Sequence, residues 1–588
     1  MKLHIVSLIF ICFNIEVAFS RPQPHIIFIF IDDLGWNDVS FHGSKQLPTP
    51  NIDALANDGI ILNNHYSQPI CTPSRGSLMT GKYPLRLGLQ HGVITATAPW
   101  GLSPKEKILP EYLQDLGYST YGVGKWHLGF FQENYLPMNR GFDSFFGYWN
   151  GKEDYFTHWA EGQKAHGLDL HDNDINAWNY TMVYATELFT DKAISKILNH
   201  NTSKPLFLYL SHLAVHTGNS YGIFQAPQEH INRFPHIKDR KRRAFAAMSS
   251  ALDDSIGDLF ESLHKARILH NSLIVFTTDN GGAVEGIDKS TGSNWPLRGS
   301  KYSLWEGGVR TVAFVWSLML RKKKIRRNLM HISDWLPTLY SIAGGDEKDL
   351  GKIDGYNQWK SICCNERSPR QSIVLNIDPI LKTESIRLQN YKLVKGSNFR
   401  GRMDGWFDKE GKNKENIPFT DQELQEQLKV YKELKAKSKV VSILRKISKP
   451  NRKHRRFDDE EGNDLKSVRR STKYGNKSEI LIEAYEPAEH VEPYKSLIVE
   501  CGERPLNIST NCEPAKAACL FDISADPCEY NNLADIKPKI VKRLEWELDK
   551  YRDKAVHIRN KKHDPFANPK YHGYAWSPWK KTDDSDWE

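Results

Sequence analysis

Continuous apolar runs alternate with helix-like segments along the first half of this chain. Three of the runs cover residues 24–31, 206–210 and 273–278 and consist mostly of Ile, Leu, Val and Phe. Apolar runs of this length without polar alternation are typical of strands that are buried on both faces. Helical patterns lie between them, for example at 110–116 and 186–198. The pattern predicts an α/β fold built on a mostly parallel sheet.

Polar residues follow the first and third predicted strands directly. Asp32 and Asp33 come after the first strand, and Asp279 and Asn280 come after the third. Open α/β folds carry their sites at the carboxyl ends of such strands. Oxygen ligands suit a hard cation such as Ca²⁺, and adjacent aspartates repel each other unless a cation lies there. The Asp32–Asp33 pair alone fits a turn equally well, but the two pairs together predict a metal site.

A glycine-rich stretch predicts two basic site residues. Gly117 would end a helix, and residues 119–123 would form a short strand. Lys125 and His127 would emerge from the end of that strand, where Gly124 allows a close approach of the backbone. The stretch therefore adds a lysine and a histidine to the same edge of the sheet.

The residues around Cys71 predict a helix that begins at an anion site. Thr72 fits the N-cap, Pro73 fits the first helical position, and Gly81 can end the helix about two turns later. Free backbone N–H groups and the helix dipole would favour an anion such as sulfate beside Cys71. Arg75 adds a permanent positive charge one turn further along. The alternative is an ordinary buried or disulfide-bonded cysteine.

Length and composition are those of a globular protein with two domains. The chain has 588 residues, of which 39% are hydrophobic and 11% aromatic. Residues 1–20 have the pattern of a secretory signal, and no later stretch is long and apolar enough to span a bilayer. We therefore expect a lumenal or extracellular protein without a membrane span. Four sequons agree with that route, at Asn179, Asn201, Asn476 and Asn507.

Six cysteines remain when Cys71 and the cysteine of the signal are set aside. An even number fits an oxidising compartment. Four of the six lie within residues 501–528 and predict a disulfide-stapled subdomain of open connectivity. A zinc site is the alternative, although the spacing lacks a paired C-x-x-C knuckle. The six residues are Cys363, Cys364, Cys501, Cys512, Cys519 and Cys528.

Positive charge is concentrated in one segment. The net charge is +9, and residues 429–456 carry twelve Lys and Arg residues against the single Glu433. Such a cluster can bind polyanions such as glycosaminoglycans through counterion release. A flexible, solvated insertion is an equally good interpretation. Nothing in the chain indicates a nucleic-acid partner.

Longer motifs give the chain a family resemblance. It resembles the sulfatase family over nearly its whole mature length, and most closely the arylsulfatase B group. The resemblance implies an alkaline-phosphatase-like α/β sandwich with a large, mostly parallel mixed sheet. It also implies a smaller C-terminal α+β domain with an antiparallel sheet, giving a catalytic domain at 21–370 and a second domain at 371–588 with a basic insertion at 429–478. The matching motifs cover residues 68–75, 123–129, 140–143, 278–282 and 295–310.

The resemblance assigns roles residue by residue. It implies that Cys71 is oxidised to formylglycine by a formylglycine-generating enzyme before folding. His212 and His216 both follow the second strand; the family-like register favours His216, and we interpret His212 as structural. One calcium ion would bind to Asp32, Asp33, Cys71, Asp279 and Asn280. The sulfate pocket would contain Arg75, Lys125, His127, His216 and Lys301.

A sulfuric ester hydrolase follows from these roles. One hydroxyl of the hydrated aldehyde would attack sulfur while Lys301 or His216 protonates the leaving oxygen, and His127 would then help to expel sulfate. The resemblance points to sulfated sugars, with the 4-sulfated N-acetylgalactosamine of dermatan or chondroitin sulfate as the default, in the lysosomal lumen or outside the cell. The rival functions are a phosphatase or phosphonate hydrolase, which Cys71 argues against, and a non-catalytic glycosaminoglycan-binding protein.

Overall fold

The computed structural model describes residues 23–320, 324–413, 416, 418–448, 497–508 and 511–581. The predicted signal at 1–20 and the sequon at Asn476 lie outside the described residues. The basic residues between 449 and 456 lie outside them as well.

Strands and α-helices occur throughout the described residues. The strands, in chain order, are β1 (His25–Ile31), β2 (Ile60–Leu62), β3 (His65–Tyr66), β4 (Ser119–Lys125), β5 (Ser144–Tyr148), β6 (Trp159–Gly162), β7 (Ala165–Leu168), β8 (His171–Asp172), β9 (Ile175–Asn176), β10 (Leu206–Ser211), β11 (Ser272–Thr278), β12 (Ala313–Trp316), β13 (Lys324–Arg326), β14 (Met330–His331), β15 (Ser372–Asp378), β16 (Thr383–Leu388), β17 (Tyr391–Lys395) and β18 (Cys519–Asp522). The α-helices are α1 (Pro50–Asp58), α2 (Cys71–Thr80), α3 (Leu109–Asp115), α4 (Ala185–Leu198), α5 (Gln228–Ile231), α6 (Arg240–Lys265), α7 (Glu306–Val309), α8 (Trp335–Ile342), α9 (Trp359–Cys364), α10 (Asp421–Lys437), α11 (Lys439–Ser448) and α12 (Pro538–Arg552).

A ten-stranded mixed sheet forms the centre of the molecule. Its order is β13-β2-β12-β11-β1-β10-β4-β5-β8-β9. The five strands β11, β1, β10, β4 and β5 are parallel to one another, while β12 and β8 flank them in the antiparallel direction. The prediction of a large, mostly parallel sheet is confirmed.

Both faces of this sheet are buried, which explains the continuous apolar runs. Along β1, Ile27 and Ile29 point into a core with α1, α4 and α6. Phe28 and Phe30 point into the opposite core with α2, α3 and α8. Successive side chains of a strand point to opposite faces, so a strand covered on both sides needs apolar residues at every position. The structure is thus a sandwich of helices around a sheet.

A four-stranded antiparallel sheet, ordered β15-β16-β17-β18, begins at Ser372. One of its faces packs under α12 through Leu544 and Leu548. The other face packs against Trp305 of the central part. The predicted antiparallel sheet in the C-terminal part is confirmed, and we propose the domain division near residue 370 because this sheet starts there.

The basic segment does not behave as one solvated insertion. Residues 429–448 lie in α10 and α11, and α11 packs against α6 and α1. Val440, Ile443 and Leu444 are buried in the same core as β1. These apolar positions repeat at helical spacing, so one face of α11 is buried while its basic residues face outward. The expectation of a flexible, solvated segment is therefore wrong for 429–448.

Two disulfides staple the C-terminal part. They join Cys501 to Cys528 and Cys512 to Cys519. The zinc alternative for this cluster is wrong, because all four thiols are used in disulfides. Cys363 and Cys364 are free thiols near the end of α9. Among the described residues, no helix is long and apolar enough to cross a membrane.

Candidate active site

The carboxyl edge of the parallel strands brings the predicted site residues together. Asp32 and Asp33 follow β1, Asp279 follows β11, and Lys125 ends β4. Since β1 lies between β11 and β10, and β4 follows β10, these strand ends are close neighbours. All four side chains are buried. The fold thus builds a compact polar site inside an otherwise apolar sandwich.

Helix α2 places Cys71 against this edge. The helix begins at Cys71 itself, preceded by Ile70 in an extended conformation, so the prediction of Thr72 as the N-cap is wrong. The Thr72 hydroxyl is instead used in the tertiary structure: it donates to the carbonyl of His127 at 3.3 Å. Gly81 ends the helix with φ of +68°, as predicted. Cys71 therefore lies in the first turn, where backbone N–H groups are free to bind an anion.

The Cys71 thiol is enclosed. It is 2% exposed and donates to Asp32 Oδ1 at 3.7 Å. Burial and the nearby Asp279 carboxylate raise the pKa of this thiol well above its usual value. The unmodified side chain is therefore a protonated thiol, which is a poor nucleophile.

Oxygen atoms converge around this thiol. The ligand atoms of Asp32, Asp33, Cys71 and Asp279 all lie within 4.8 Å of one another. Asn280 donates from Nδ2 to Asp33 Oδ1 at 2.7 Å. Its Oδ1 is buried and has no hydrogen-bond partner among the described residues. An orphaned amide oxygen beside three carboxylates fits a hard cation, which would satisfy that oxygen and offset the repulsion between the acids.

Buried cations balance these acids. Burial and Asp279 raise the pKa of Asp32 to about 7. Burial would also raise the pKa of Asp279, but Arg75 and the neighbouring lysines hold it below its usual value. The three close pairs are Lys125 Nζ to Asp32 Oδ2 at 2.6 Å, Arg75 Nη2 to Asp279 Oδ2 at 2.9 Å, and Lys301 Nζ to Asp33 Oδ2 at 2.8 Å.

Arg75 is fixed on the inner side of the site. Besides Asp279, its guanidinium donates to Ser211 Oγ at 2.7 Å and lies 4.9 Å from the centroid of the Phe30 ring. The side chain is completely buried. Arg75 therefore holds Asp279 in place.

The two site histidines have different free nitrogens. His216 Nδ1 donates to the Thr217 carbonyl at 2.7 Å, so its Nε2 accepts from Lys301 Nζ at 3.2 Å. His127 Nε2 donates to the Ile94 carbonyl at 3.0 Å, and its Nδ1 is buried without a partner among the described residues. Burial, together with nearby lysines, lowers the pKa of both rings well below the usual value. Both imidazoles are therefore neutral near pH 7.

His212 lies outside this cluster. Its Nε2 lies 3.1 Å from Ser255 Oγ of α6, and burial lowers its pKa to about 3. The two histidines that follow β10 therefore have different partners. His216 contacts Lys301 in the site, and His212 contacts Ser255 of α6.

Asp288 is a site residue that sequence reasoning missed. Its Oδ2 lies 2.8 Å from Lys301 Nζ, so Lys301 is paired with two carboxylates. Burial would lower the pKa of Lys301, but Asp288 and Asp33 hold it well above its usual value. Asp288 lies in the loop after β11, eight residues beyond Asn280 and without a motif of its own. Only its distance to Lys301 reveals it.

Comparison with known proteins identifies the class to which this site belongs. Residues 24–345 match the family described as Sulfatase. Mouse arylsulfatase J is 36% identical over 583 residues, covering 96% of this chain and 81% of that protein. Human N-acetylgalactosamine-6-sulfatase is 30% identical over 364 residues, covering 58% of this chain and 66% of that protein.

Solved structures agree with the sequence comparison. The structure of Ps i-CgsB in complex with k-i-k-neocarrahexaose superposes with a TM-score of 0.57 at 28% identity, covering 72% of this chain and 92% of the other. The chain belongs to the sulfatase family, and the alkaline-phosphatase-like fold expected from the resemblance is confirmed. It is a sulfuric ester hydrolase of the arylsulfatase type.

Proposed function

We propose that this protein removes sulfate from sulfated sugars, using residue 71 after its conversion to formylglycine and one calcium ion. The observation that carries the proposal is the Cys71 side chain in the first turn of α2, 3.7 Å from Asp32 Oδ1 and inside the oxygen cluster. The family membership supports the reaction class. The residues of the cluster supply the charge balance that the reaction needs.

The calcium assignment is supported by the donor set. Asp32, Asp33, Asp279 and Asn280 offer only oxygen atoms, and residue 71 would complete the set. The Asn280 Oδ1, buried without a partner, is the atom that most needs a cation. When bound, the ion would act as a Lewis acid that neutralises charge on the sulfate oxygens.

Conversion of Cys71 is supported by the poor reactivity of its thiol. The formyl group, once hydrated, would supply two hydroxyls, one to accept the sulfuryl group and one to release it. The side chain is 2% exposed, so a modifying enzyme cannot reach it in the folded protein. We therefore propose a formylglycine-generating enzyme as a partner that acts before folding is complete.

The remaining residues would bind sulfate and move protons. Lys125 brings positive charge to Asp32, and Lys301 brings positive charge to Asp33. Lys301 holds a proton that it can give to the leaving sugar oxygen, while neutral His216 accepts from it and fixes its position. His127 has a free Nδ1 that can take the proton of a hydroxyl on residue 71.

We also propose which sulfate group of the sugar is removed. The default remains the 4-sulfated N-acetylgalactosamine of dermatan or chondroitin sulfate. One of the relatives is named N-acetylgalactosamine-6-sulfatase, so the 6-sulfate is the direct competitor. Turnover of a panel of 4-sulfated and 6-sulfated sugars tests the choice: sulfate release from the 4-sulfate alone supports the default, and release from the 6-sulfate alone overturns it.

Location and a polyanion partner are proposed on separate grounds. Two disulfides agree with the secretory pathway, and we propose the lysosomal lumen or the extracellular space. The outer faces of α10 and α11 carry exposed Lys429, Lys432, Lys437, Arg445 and Lys446. We propose that this face retains the protein on polyanionic glycans without taking part in catalysis.

A further inference from the structure

A segment of the C-terminal part lies close to the entrance of the candidate active site. We place that entrance at Asp288, because its side chain is 29% exposed while that of Lys301 beside it is 2% exposed. Asn398 Nδ2 donates to the carbonyl of Tyr302 at 2.6 Å. Ser300 Oγ donates to Met403 Sδ at 3.4 Å, and the Gly405 carbonyl accepts from the Gly299 backbone at 2.8 Å. The segment 397–405 is therefore attached to both sides of Lys301 in the sequence. None of these contacts belongs to the sulfate pocket itself.

Two aromatic rings lead outward from Lys301 along this segment. The Tyr302 ring centroid lies 5.6 Å from Lys301 Nζ, and the Tyr302 backbone N–H donates to the Pro69 carbonyl at 2.8 Å, two residues before Cys71. Phe399 packs edge-to-face on Tyr302, with centroids 5.5 Å apart, and remains 53% exposed. The Tyr302 ring thus contacts both the exposed Phe399 ring and the region of Lys301. Exposed aromatics fixed in this way are typical of binding sites.

Exposed positive charge lies on this segment and on the neighbouring loop after β11. Arg400 and Arg402 are exposed on the segment, and Lys289 is exposed on the loop after β11. A Cβ atom added to Gly286 would lie 3.5 Å from Arg402 Nη2, so the loop and the segment are neighbours. Among the described residues, Arg400, Arg402 and Lys289 have no ion-pair partner. Cations without partners at the mouth of a site can bind an anionic group of a substrate.

Both entrance loops hold unfavourable backbone conformations. Phe399 and Arg400 have φ of +49° and +55°, and Asp288 and Lys289 have φ of +46° and +56°. A left-handed backbone is unfavourable for residues other than glycine and persists only where surrounding contacts hold it. Strain of this kind is concentrated at ligand clamps and active sites.

We propose that Tyr302, Phe399, Arg400, Arg402 and Lys289 form a subsite for a second, anionic sugar residue of the glycan. The Phe399 ring would stack on the apolar face of the pyranose, and the three cations would bind its sulfate or carboxylate. Asp288, on Lys301, marks the boundary between this subsite and the sulfate pocket. The inference rests on the proposed function and adds that the enzyme prefers oligosaccharides to isolated sulfate esters.

Comparison of a short and a long substrate tests the subsite. Phe399→Ala and the double variant Arg400→Ala/Arg402→Ala are assayed on 4-nitrocatechol sulfate and on a chondroitin sulfate hexasaccharide. We expect kcat/KM on the hexasaccharide to fall about tenfold and kcat/KM on the aryl sulfate to stay within about twofold. Equal loss on both substrates, or no loss on the hexasaccharide, overturns the proposal.

Matched surface variants control for charge and exposure. Phe566→Ala removes a Phe that is 71% exposed elsewhere, and Lys539→Ala/Lys542→Ala removes two exposed cations from α12. Neither control should change kcat/KM on the aryl sulfate or on the hexasaccharide. If they reduce hexasaccharide turnover as much as the entrance variants do, general charge or exposure explains the effect and the subsite is refuted.

A binding measurement separates the subsite from the proposed chemistry. Calorimetric titration of the hexasaccharide into Cys71→Ala protein, with and without Phe399→Ala, requires no turnover. We expect the Phe399→Ala change to weaken binding by about the same tenfold factor. If the wild type hydrolyses no sulfate ester but this difference is present, the proposed function fails and the subsite stands. Equal affinity with and without Phe399→Ala refutes the subsite whatever the activity.

Discussion

Asn280 donates to Asp33 at 2.7 Å and leaves its own Oδ1 buried without a partner among the described residues. The Asn280 amide thus orients the Asp33 carboxylate with its nitrogen and keeps its oxygen unpaired next to this acid. A buried amide oxygen without a donor costs about 1–3 kcal/mol, unless a ligand satisfies it. A calcium ion bound beside Asp33 would satisfy the Asn280 oxygen and remove this cost.

Asn280→Ala should weaken calcium binding and lower kcat/KM by at least about tenfold, with little change in secretion. This variant is cleaner than Asp279→Ala, which would also leave the buried Arg75 guanidinium without its closest acidic partner. Calorimetric titration with calcium and turnover of an aryl sulfate measure the two effects.

Asn376→Ala is the matched control for Asn280→Ala. Asn376 is also a buried Asn whose Oδ1 has no partner among the described residues, but it lies in β15, in the small sheet. Asn376→Ala should change the stability of the protein but neither its calcium affinity nor its turnover. Unchanged calcium affinity in Asn280→Ala would refute the assignment of Asn280 as a ligand.

Cys71→Ser should fold normally and lose multiple turnover. Serine is close to cysteine in size and can still donate to Asp32, so we expect a stability change within about 1 kcal/mol. A single hydroxyl can accept the sulfuryl group but cannot release it by forming an aldehyde. Thermal unfolding and sulfate release measure the two effects; Cys364→Ser, at an exposed free thiol, is the control. Sustained turnover by Cys71→Ser would contradict the role of residue 71.

Acid should destabilise the protein through His212. Its folded-state pKa is lowered to about 3, so below the unfolded value near 6.5 the unfolded chain binds more protons than the folded one. The stability that neutral His212 contributes is therefore complete above about pH 6.5 and decreases as the pH falls. At pH 5 the expected loss from this residue is about 2 kcal/mol.

His212→Asn should reduce that acid sensitivity, because an amide can still hydrogen-bond to Ser255 without titrating. Urea unfolding at pH 7.5 and pH 5 measures the difference in unfolding free energy for each protein. His563→Asn, at an exposed histidine, serves as the control. An equal loss between the two pH values in wild type and His212→Asn would count against this account.

Retention on heparin by helices α10 and α11 should depend only on the charge of their exposed basic residues. Lys429→Gln, Lys432→Gln, Arg445→Gln and Lys446→Gln together should lower the salt concentration that elutes the protein from heparin, with unchanged aryl sulfate turnover. Deletion of 439–448 is not equivalent, because it removes Val440, Ile443 and Leu444 from the core.

Four Gln substitutions at exposed lysines elsewhere control for net charge. Lys164, Lys204, Lys539 and Lys542 are exposed and lie outside α10 and α11. They should change elution less than the helix substitutions do. Equal effects from both sets would show that net charge, rather than this face, retains the protein.

The sequence predicted those parts of the site that lie in or next to regular elements. Asp32 and Asp279 could be placed because apolar strands end just before them. The predicted start of α2 was two residues too late, since Thr72 can serve as an N-cap or as a tertiary hydrogen-bond donor and only the fold selects between them. Asp288 and Phe399 could not be found, because their positions depend on contacts between distant loops.

Conversion of Cys71 to formylglycine is tested directly by peptide mass spectrometry of residue 71 in protein secreted from a host that contains a formylglycine-generating enzyme. We expect the peptide spanning Cys71 to carry formylglycine, and the modified fraction to rise and fall with sulfatase activity across preparations. Fully active protein with an unmodified thiol at residue 71 would contradict this expectation.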